Sequence, residues 1–227
     1  KPWRYLILGG IYSIYFVFMF IALRYTSTIS TSAIFALMPF ATLILESMIF
    51  NKKSHSLIWL ALCISSVGAL YIVFDGSLIN ALNFKLDFGE LIFLIGTIVY
   101  SSYALVQPRL NFGENLLITT FGVLTAGTFI LAMSIIIQGL DFTPTNISIG
   151  LVFLIIYLAI FASIGTILCL NFASSRIPGT NVMAYSLLIP FWVLMFETFT
   201  KDSFAPGYSY VGIIPIGFGL LILYRNS

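Results

Sequence analysis

Eight long apolar segments, separated by short polar connections, constrain this chain more than any other feature of its sequence. A helix needs about 20 apolar residues to cross the hydrocarbon core of a bilayer. The longest connection, residues 75–88, has room for an interfacial turn but not for a soluble domain. The sequence therefore predicts an all-α, polytopic membrane helix bundle. The predicted spans, called a to h, cover residues 3–25, 30–50, 57–74, 89–107, 116–137, 148–172, 180–200 and 208–224.

The composition excludes several other classes of protein. Hydrophobic residues make up 60% of the chain and charged residues only 8%, whereas soluble proteins carry roughly 25% charged residues. A soluble enzyme, a disordered tail and a secreted disulfide scaffold are therefore excluded. The net charge of +2 provides no basic patch for nucleic acid, so we expect the lipid bilayer and no nucleic acid as a partner.

The distribution of Lys and Arg predicts the orientation, because cytoplasmic loops carry an excess of these residues. With a cytoplasmic N-terminus, seven basic residues lie on the inner side and three on the outer side. Both chain termini are therefore predicted to be cytoplasmic. The inner set is Lys1, Arg4, Lys52, Lys53, Arg109, Arg176 and Arg225, and the outer set is Arg24, Lys85 and Lys201.

An internal repeat relates spans a, b and c to spans f, g and h. At an ungapped offset of 151 residues, Pro, Glu and Gly positions coincide, and the chain has only eight prolines to place. Matches between such infrequent residues carry more information than matches between Leu or Ala. The matched pairs include Pro39 with Pro190, Phe40 with Phe191, Glu46 with Glu197, and Gly68 with Gly219.

Spans d and e have no counterpart upstream of span a. We therefore expect a ten-span parent with five spans per repeat, in which residues 1–74 hold the last three spans of the first repeat. Residues 75–88 are then a loop, and residues 89–227 form the complete second repeat. An odd number of spans per repeat inverts the second repeat in the membrane, which is the architecture of many secondary transporters.

Six short motifs follow one another along the chain: residues 22–26 (ALRYT), the Pro39 to Glu46 spacing, and residues 68–70 (GAL), 89–93 (GELIF), 100–104 (YSSYA) and 108–110 (PRL). In this order and spacing they resemble the EamA-type family of the drug/metabolite transporter superfamily, over essentially the whole chain. The resemblance implies a ten-helix inverted-repeat fold with a central cavity, an exporter of amino acids, related metabolites or drugs, and a bacterial cytoplasmic (inner) membrane location. Two departures are the absence of the first two family helices and Tyr100, where the family often has Trp.

Pro39 and Pro190 lie near the centres of spans b and g. A proline removes the hydrogen bond to the carbonyl four residues earlier, so we expect the Phe35 and Ser186 carbonyls to be free for a substrate or a neighbour. Helices broken at matching positions in two repeats indicate a transport site. A structural kink closed by a Ser or Thr hydroxyl is the alternative. The predicted stripes are Ser32, Phe35, Pro39 and Glu46 on b, and Met183, Ser186, Pro190 and Glu197 on g.

Glu46 and Glu197 each follow their proline by seven residues, about 10 Å along a helix axis. Because b and g run in opposite directions, we expect the two carboxylates at depths about 20 Å apart. Paired carboxylates that act on one bond need a separation of at most about 10 Å, so a catalytic dyad is excluded. Proton coupling is the functional interpretation, and capping or gating contacts at the repeat interface are the alternative.

Tyrosines and small polar side chains on several spans are candidates for the lining of a cavity. Packing between helices and anchoring at the membrane interface are the alternatives for each. A lining that is aromatic and hydrogen-bonding, with little fixed charge, suits neutral or zwitterionic amphipathic metabolites. The predicted lining residues are Tyr12, Tyr15, Ser32, Phe35, Pro39, Tyr100, Tyr103, Thr166, Asn171, Tyr185, Ser186 and Pro190.

The leading functional hypothesis is a secondary transporter that works by alternating access, with the five-span halves rocking about a central site. A non-transporting membrane sensor or subunit and an intramembrane lipid-acting enzyme are the alternatives. His55 is the only histidine, so we expect no catalytic residues, no metal and no cofactor. The expected partners are a small-molecule substrate and, as an option, a second copy of the chain.

Overall fold

The computed structural model describes residues 2–51, 55–74, 76–137, 139, 148–200 and 207–225, and the regular elements within them are all helical. Four of the positions used for orientation, Lys1, Lys52, Lys53 and Lys201, lie outside these residues. A π-helical segment (Leu158–Gly165) joins α8 to α9, and 3-10 segments cover Tyr185–Leu188 and Gly207–Gly212. The α-helices are α1 (Trp3–Ala22), α2 (Thr28–Phe35), α3 (Met38–Phe50), α4 (Ser56–Val73), α5 (Leu78–Leu82), α6 (Phe88–Leu110), α7 (Leu116–Ile137), α8 (Ile149–Tyr157), α9 (Thr166–Ser174), α10 (Gly179–Ala184), α11 (Ile189–Thr200) and α12 (Ile213–Arg225).

The described helices form the polytopic membrane bundle predicted from the sequence. Spans a to g each have a helical counterpart long and apolar enough to cross a membrane. Span h corresponds to the 3-10 segment Gly207–Gly212 followed directly by α12, with a shorter apolar helix over Tyr210–Arg225. The predicted loop before span d holds the short helix α5, and the Ser77 hydroxyl accepts a hydrogen bond from the Asn80 N–H at its start. The ten-span parent remains a prediction.

Span b is two helices rather than one. α2 ends at Phe35 and α3 begins at Met38, with a two-residue turn between them. Pro39 lies in the first turn of α3, where a missing N–H costs little because that group has no intrahelical partner. The turn interrupts the α-helix within the stripe predicted from Ser32 to Glu46, although Ala36 and Leu37 keep right-handed helical backbone angles.

Span g breaks at the equivalent place. α10 ends at Ala184, the 3-10 segment follows, and α11 begins at Ile189. Met38 and Ile189, which start the second half of each broken span, are 151 residues apart, because 189 minus 38 is 151. The stripe predicted from Met183 to Glu197 is interrupted for the same reason, and the Glu197 side chain lies outside the described part of the chain.

The close contact of α4 with α12 and the segment before it follows the same 151-residue offset. A Cβ on Gly68 would collide with the Gly212 carbonyl oxygen, and a Cβ on Gly219 would collide with the Ala61 carbonyl oxygen. Adding 151 to Ala61 and Gly68 gives Gly212 and Gly219, so each contact is the image of the other. Such reciprocity is the property of a two-fold axis.

Ser65 and Ile216 form a further contact between α4 and α12, in which each partner corresponds to the other under the repeat offset. The Ser65 hydroxyl donates to the Ile216 carbonyl at 3.4 Å, and these residues are themselves 151 positions apart. Along the interface the residue numbers rise on α4 as they fall on α12, so the two helices are antiparallel. Equivalent helices that run in opposite directions belong to repeats of inverted topology.

The two repeats interleave in the bundle. α1, from the first repeat, packs most extensively against α6 and α7 of the second, and α4 packs most extensively against α12. At the α1–α7 contact, a Cβ on Gly9 would lie 2.7 Å from the Gly127 nitrogen and 2.8 Å from the Val123 oxygen, so the backbones nearly touch. The tightest helix contacts of the bundle therefore cross the boundary between the two repeats.

An ion pair fastens the start of α1 to the α6–α7 connection. The Arg4 Nη2 donates to Glu114 Oε1 at 2.5 Å, and its Nη1 donates to the Leu110 carbonyl at 2.9 Å. The Tyr5 hydroxyl donates to the second oxygen of Glu114. The hydrogen bonds from Tyr5 and Arg4, together with the Arg4 charge, hold the pKa of the Glu114 carboxyl below its ordinary value of 4.5.

We expect Gly219→Ala to destabilise the bundle, because the added methyl group meets the Ala61 backbone and cannot be accommodated by a side-chain rotation. Overpacking of this kind costs about 1–3 kcal/mol. Gly217→Ala is the matched control on the same helix, since its Cβ meets nothing within 4 Å. Thermal unfolding followed by tryptophan fluorescence in detergent should separate the two variants, and equal melting temperatures would contradict the close α4–α12 contact.

The depressed pKa of Glu114 predicts a pH dependence of stability. A carboxyl whose pKa is lower in the folded state stabilises the fold above its unfolded value, and that contribution is lost as the pH falls through the folded value. Below about pH 4.5, wild-type protein should therefore lose more of its melting temperature than Glu114→Gln does. Parallel loss in both proteins over this range would show that the ion pair does not stabilise the fold.

Candidate functional site

A cluster of aromatic rings joins α1 to α6 in the middle of the bundle. The Tyr15 and Tyr100 rings stack with centroids 4.4 Å apart and planes inclined by 22°. The Tyr12 ring lies 6.3 Å from Tyr100 and 6.4 Å from Tyr103. All four tyrosines are buried, because each is placed on the contact side of its helix by three- or four-residue steps.

A hydrogen-bonded trio continues this cluster towards α7 and α9. The Tyr103 hydroxyl donates to Asn171 Oδ1 at 2.8 Å, and Asn171 Nδ2 donates to Thr120 Oγ1 at 3.2 Å. Asn171 and Tyr103 are fully buried and Thr120 is nearly so. Thr120 was not among the sequence candidates, because nothing in its own apolar helix marks it as the partner of Asn171.

The broken span b contacts the same cluster. The Phe35 ring, at the end of α2, lies 6.2 Å from the Tyr15 ring and 5.4 Å from Phe93. Just after the turn, the Met38 carbonyl lies 3.3 Å from the Ser101 hydroxyl of α6, whose hydrogen is shared with the Thr97 carbonyl at 2.8 Å. The turn between α2 and α3 is thus held against α6 by both ring packing and a hydrogen bond.

An open cavity of about 650 Å³ adjoins the cluster, between α6, the π-helical segment, α9 and the broken span g. Three of the predicted lining residues, Tyr100, Thr166 and Tyr185, lie on it, and the others do not. Its lining residues carry no charge, and most of its surface is apolar. The complete lining is Tyr100, Phe161, Gly165, Thr166, Cys169, Leu170, Ala173, Ile177, Val182 and Tyr185.

Of the remaining candidates, Tyr12, Tyr15, Tyr103 and Asn171 are packed in the interior beside the cavity. Pro39 and Pro190 are buried next to the helix breaks, and Ser32, Phe35 and Ser186 are half-buried there. The structure thus gathers the tyrosines of α1 and α6, and it places the prolines at the edges of the same region rather than on a shared stripe.

The two carbonyls expected to be free differ in their surroundings. The Ser186 carbonyl accepts a hydrogen bond from the Ile189 N–H, because the 3-10 turn satisfies it locally, so the expectation of a free Ser186 carbonyl is wrong. The Ser186 hydroxyl itself donates to the Met183 carbonyl at 2.7 Å. In span b, Pro39 has no N–H to donate to Phe35, and the next carbonyl, that of Ala36, accepts from the Ser66 hydroxyl at 3.4 Å.

Two glutamates hold helices together at the borders of the site. Glu46 accepts a hydrogen bond from the Thr180 hydroxyl at 2.7 Å, which ties α3 to the start of α10. Glu90 is buried in the first turn of α6. One of its oxygens accepts from the Thr26 hydroxyl, while the other has no partner among the described residues. Gly89, the residue before Glu90, lies close to the Tyr25 backbone.

The comparisons with known proteins agree with this architecture. The family model described as "EamA-like transporter family" matches residues 1–74 and 87–225. The "Uncharacterized transporter YyaM" of Bacillus subtilis (strain 168) is 24% identical over 219 residues, covering 96% of this chain and 71% of that protein. A crystal structure of another protein superposes with a TM-score of 0.76 at 16% identity, covering 98% of this chain and 76% of the other, which shows a common fold. The chain therefore belongs to the EamA-like transporter family, whose members include proteins named as membrane transporters.

Proposed function

We propose that the protein is a secondary transporter that exports small amphipathic metabolites, such as amino acids or drugs, across a bacterial cytoplasmic membrane. Both termini lie in the cytoplasm in this proposal, as the excess of Lys and Arg on one side predicts. The observation that carries the proposal is the uncharged cavity beside the Tyr100 cluster, bordered by a helix break in span g and lying near the break in span b.

The chemistry of the cavity supports the class of substrate. Tyr100 and Tyr185 offer ring faces with hydroxyl groups, and Thr166 offers a further hydroxyl, without a lysine or arginine in the lining. Aromatic faces bind apolar and cationic groups, while hydroxyls hydrogen-bond with carbonyl, amine or carboxyl groups. A phosphorylated metabolite would need basic side chains in the lining, so it fits the described cavity poorly.

The interleaved packing defines the moving parts of the proposed mechanism. α1 with α6 and α7 forms one closely packed unit, and α4 with α12 forms another. Spans b and g connect these units and are interrupted at residues 36–37 and 185–188. We expect the two units to tilt against each other around the cavity while the interrupted spans flex at their breaks.

Glu46 is the proposed coupling or gating residue of span b, and Glu197 its repeat partner in span g. In the described arrangement the Glu46 carboxylate accepts the Thr180 hydrogen bond and so closes the contact between α3 and α10. Under the repeat offset Thr180 corresponds to Ile29, which has no hydroxyl to donate, so the second repeat cannot form the same bond. The two glutamates are therefore expected to contribute unequally to transport.

The proposal is tested with protein expressed from its complete reading frame and reconstituted into liposomes without ATP. Radiolabelled amino acids and amphipathic drugs are offered against an opposing gradient of the same compound. Saturable exchange of at least one compound is expected, in amounts that exceed protein-free liposomes. A folded preparation that exchanges none of the panel contradicts the proposal, and turnover of liposomal lipid would instead favour the enzyme alternative.

Tyr185→Ala should weaken substrate binding, because it removes an exposed ring and hydroxyl from the cavity lining. We expect the concentration for half-maximal exchange to rise about tenfold, the effect of losing one aromatic contact worth about 1.4 kcal/mol. Tyr25→Ala, an equally accessible tyrosine outside the cavity, is the matched control. Equal concentration dependence in the two variants would remove Tyr185 from the site.

Pro39→Ala should lower the maximal exchange rate more than it lowers expression. Alanine supplies the N–H that proline lacks, so position 39 can bond to the Phe35 carbonyl and favour a continuous helix across the break. Pro108→Ala, at an exposed position near the end of α6, controls for the general effect of removing a proline. If Pro39→Ala exchanges substrate at the wild-type rate, the break has no role as a hinge.

A further inference from the structure

α1, α6, α7 and α9 form a four-helix unit with a polar interior at its inner end. α1 and α9 lie on opposite sides, and each contacts both α6 and α7. The Tyr103–Asn171–Thr120 hydrogen bonds bring α6, α9 and α7 together at one level inside this unit. α6 and the span that contains α9 run in the same direction, because the chain crosses once, through α7, between them.

Three further polar side chains follow directly below this level. Gln107 is one turn beyond Tyr103 on α6, about 6 Å along the axis, and Ser174 is three residues beyond Asn171 on α9, about 4.5 Å along its axis. Thr119 precedes Thr120 on the antiparallel α7, so it is displaced towards the same end. Steps of three and four residues keep Gln107 and Ser174 on the helix faces that carry the hydrogen-bonded trio.

All three side chains are buried without satisfied hydrogen bonds. Gln107 is fully buried, and both its amide oxygen and its amide nitrogen lack a partner among the described residues. The Thr119 and Ser174 hydroxyls are at most 3% exposed and also lack partners there. Buried polar groups in native proteins are almost always paired, and a region where three of them follow one hydrogen-bonded trio is the kind that retains internal water.

The chemistry of the three groups identifies the ligand class. The Gln107 amide donates and accepts, and each hydroxyl does both, so the ligand must offer donors and acceptors together. The groups are neutral, so they give an ion no countercharge. The Gln107 Nε2 hydrogens would repel a cation. Water meets each of these conditions and needs only two to four polar partners.

We propose that Gln107, Thr119 and Ser174 form an internal water-binding site at the inner end of the four-helix unit. The bound water extends the hydrogen-bonded chain from the Tyr103–Asn171–Thr120 trio towards the Arg4–Glu114 ion pair, whose Leu110 contact lies three residues beyond Gln107. The site is separate from the cavity, since none of its residues belongs to the cavity lining. It does not depend on the proposed transport function.

X-ray radiolysis with mass-spectrometric detection tests the site in intact protein, because hydroxyl radicals made from bound water oxidise the nearest side chain. The oxidation rate of Tyr103 is measured relative to that of Tyr15, another buried tyrosine. The double variant Gln107→Leu with Ser174→Ala should lower this ratio at least about threefold by removing the water. Ser175→Ala is the matched control, because the Ser175 hydroxyl already donates to the Asn171 carbonyl at 2.7 Å, and it should leave the ratio unchanged.

An unchanged ratio in the folded double variant overturns the site, as does an equal fall in the Ser175→Ala control. A density map of wild-type protein at a resolution that shows ordered water provides a test without any variant. Solvent density within hydrogen-bonding distance of the Gln107 amide supports the proposal. A well-resolved interior with no density between Gln107, Thr119 and Ser174 refutes it, whatever the outcome of the transport assays.

Discussion

The backbone contact between α4 and α12 is the interaction on which the two-fold arrangement of this protein depends. Gly68 and Gly219 allow the helices to approach until a methyl group at either position would strike the opposite backbone. In lipid, apolar surface alone gives helices little reason to associate, so close van der Waals packing through small residues must supply the attraction. The same contact pairs positions related by the 151-residue offset, and the breaks in spans b and g are related by that offset too.

The organisation of the chain was readable from sequence because its signals are local or rest on infrequent residues. Long apolar runs predict spans without reference to their neighbours, and the Pro39/Pro190 and Gly68/Gly219 matches predict the offset that the α4–α12 contacts then reproduce. The two prolines also predict where spans b and g break, since each break lies within one turn before its proline. Pro39 occupies the first turn of the helix after the break, where its missing N–H costs little.

The site was only partly predictable, because its partners are set by packing between distant helices. The sequence proposed Tyr103 and Asn171 as separate candidates, but nothing in it pairs them with each other or with Thr120. The burial of Glu90 against Thr26 depends on how the end of α1 packs on α6, which the sequence does not show. The sequence also does not predict that α1 packs on α6 and α7, because a repeat offset shows which helices correspond and not which helices are in contact.

If the proposed mechanism holds, the unit of α1, α6 and α7 moves against the unit of α4 and α12 around the cavity. Electron-resonance distance measurements in liposomes can follow this movement, with spin labels on exposed Leu60 of α4 and Leu117 of α7, after replacing the free Cys63 and Cys169 by serine. A second pair, on Leu60 and Leu221, reports the distance between α4 and α12. We expect two Leu60–Leu117 distances whose populations shift when an exchanged amino acid or drug is added, at a constant Leu60–Leu221 distance. A single Leu60–Leu117 distance that is the same with and without the compound, or a Leu60–Leu221 distance that changes with it, would rule out this movement.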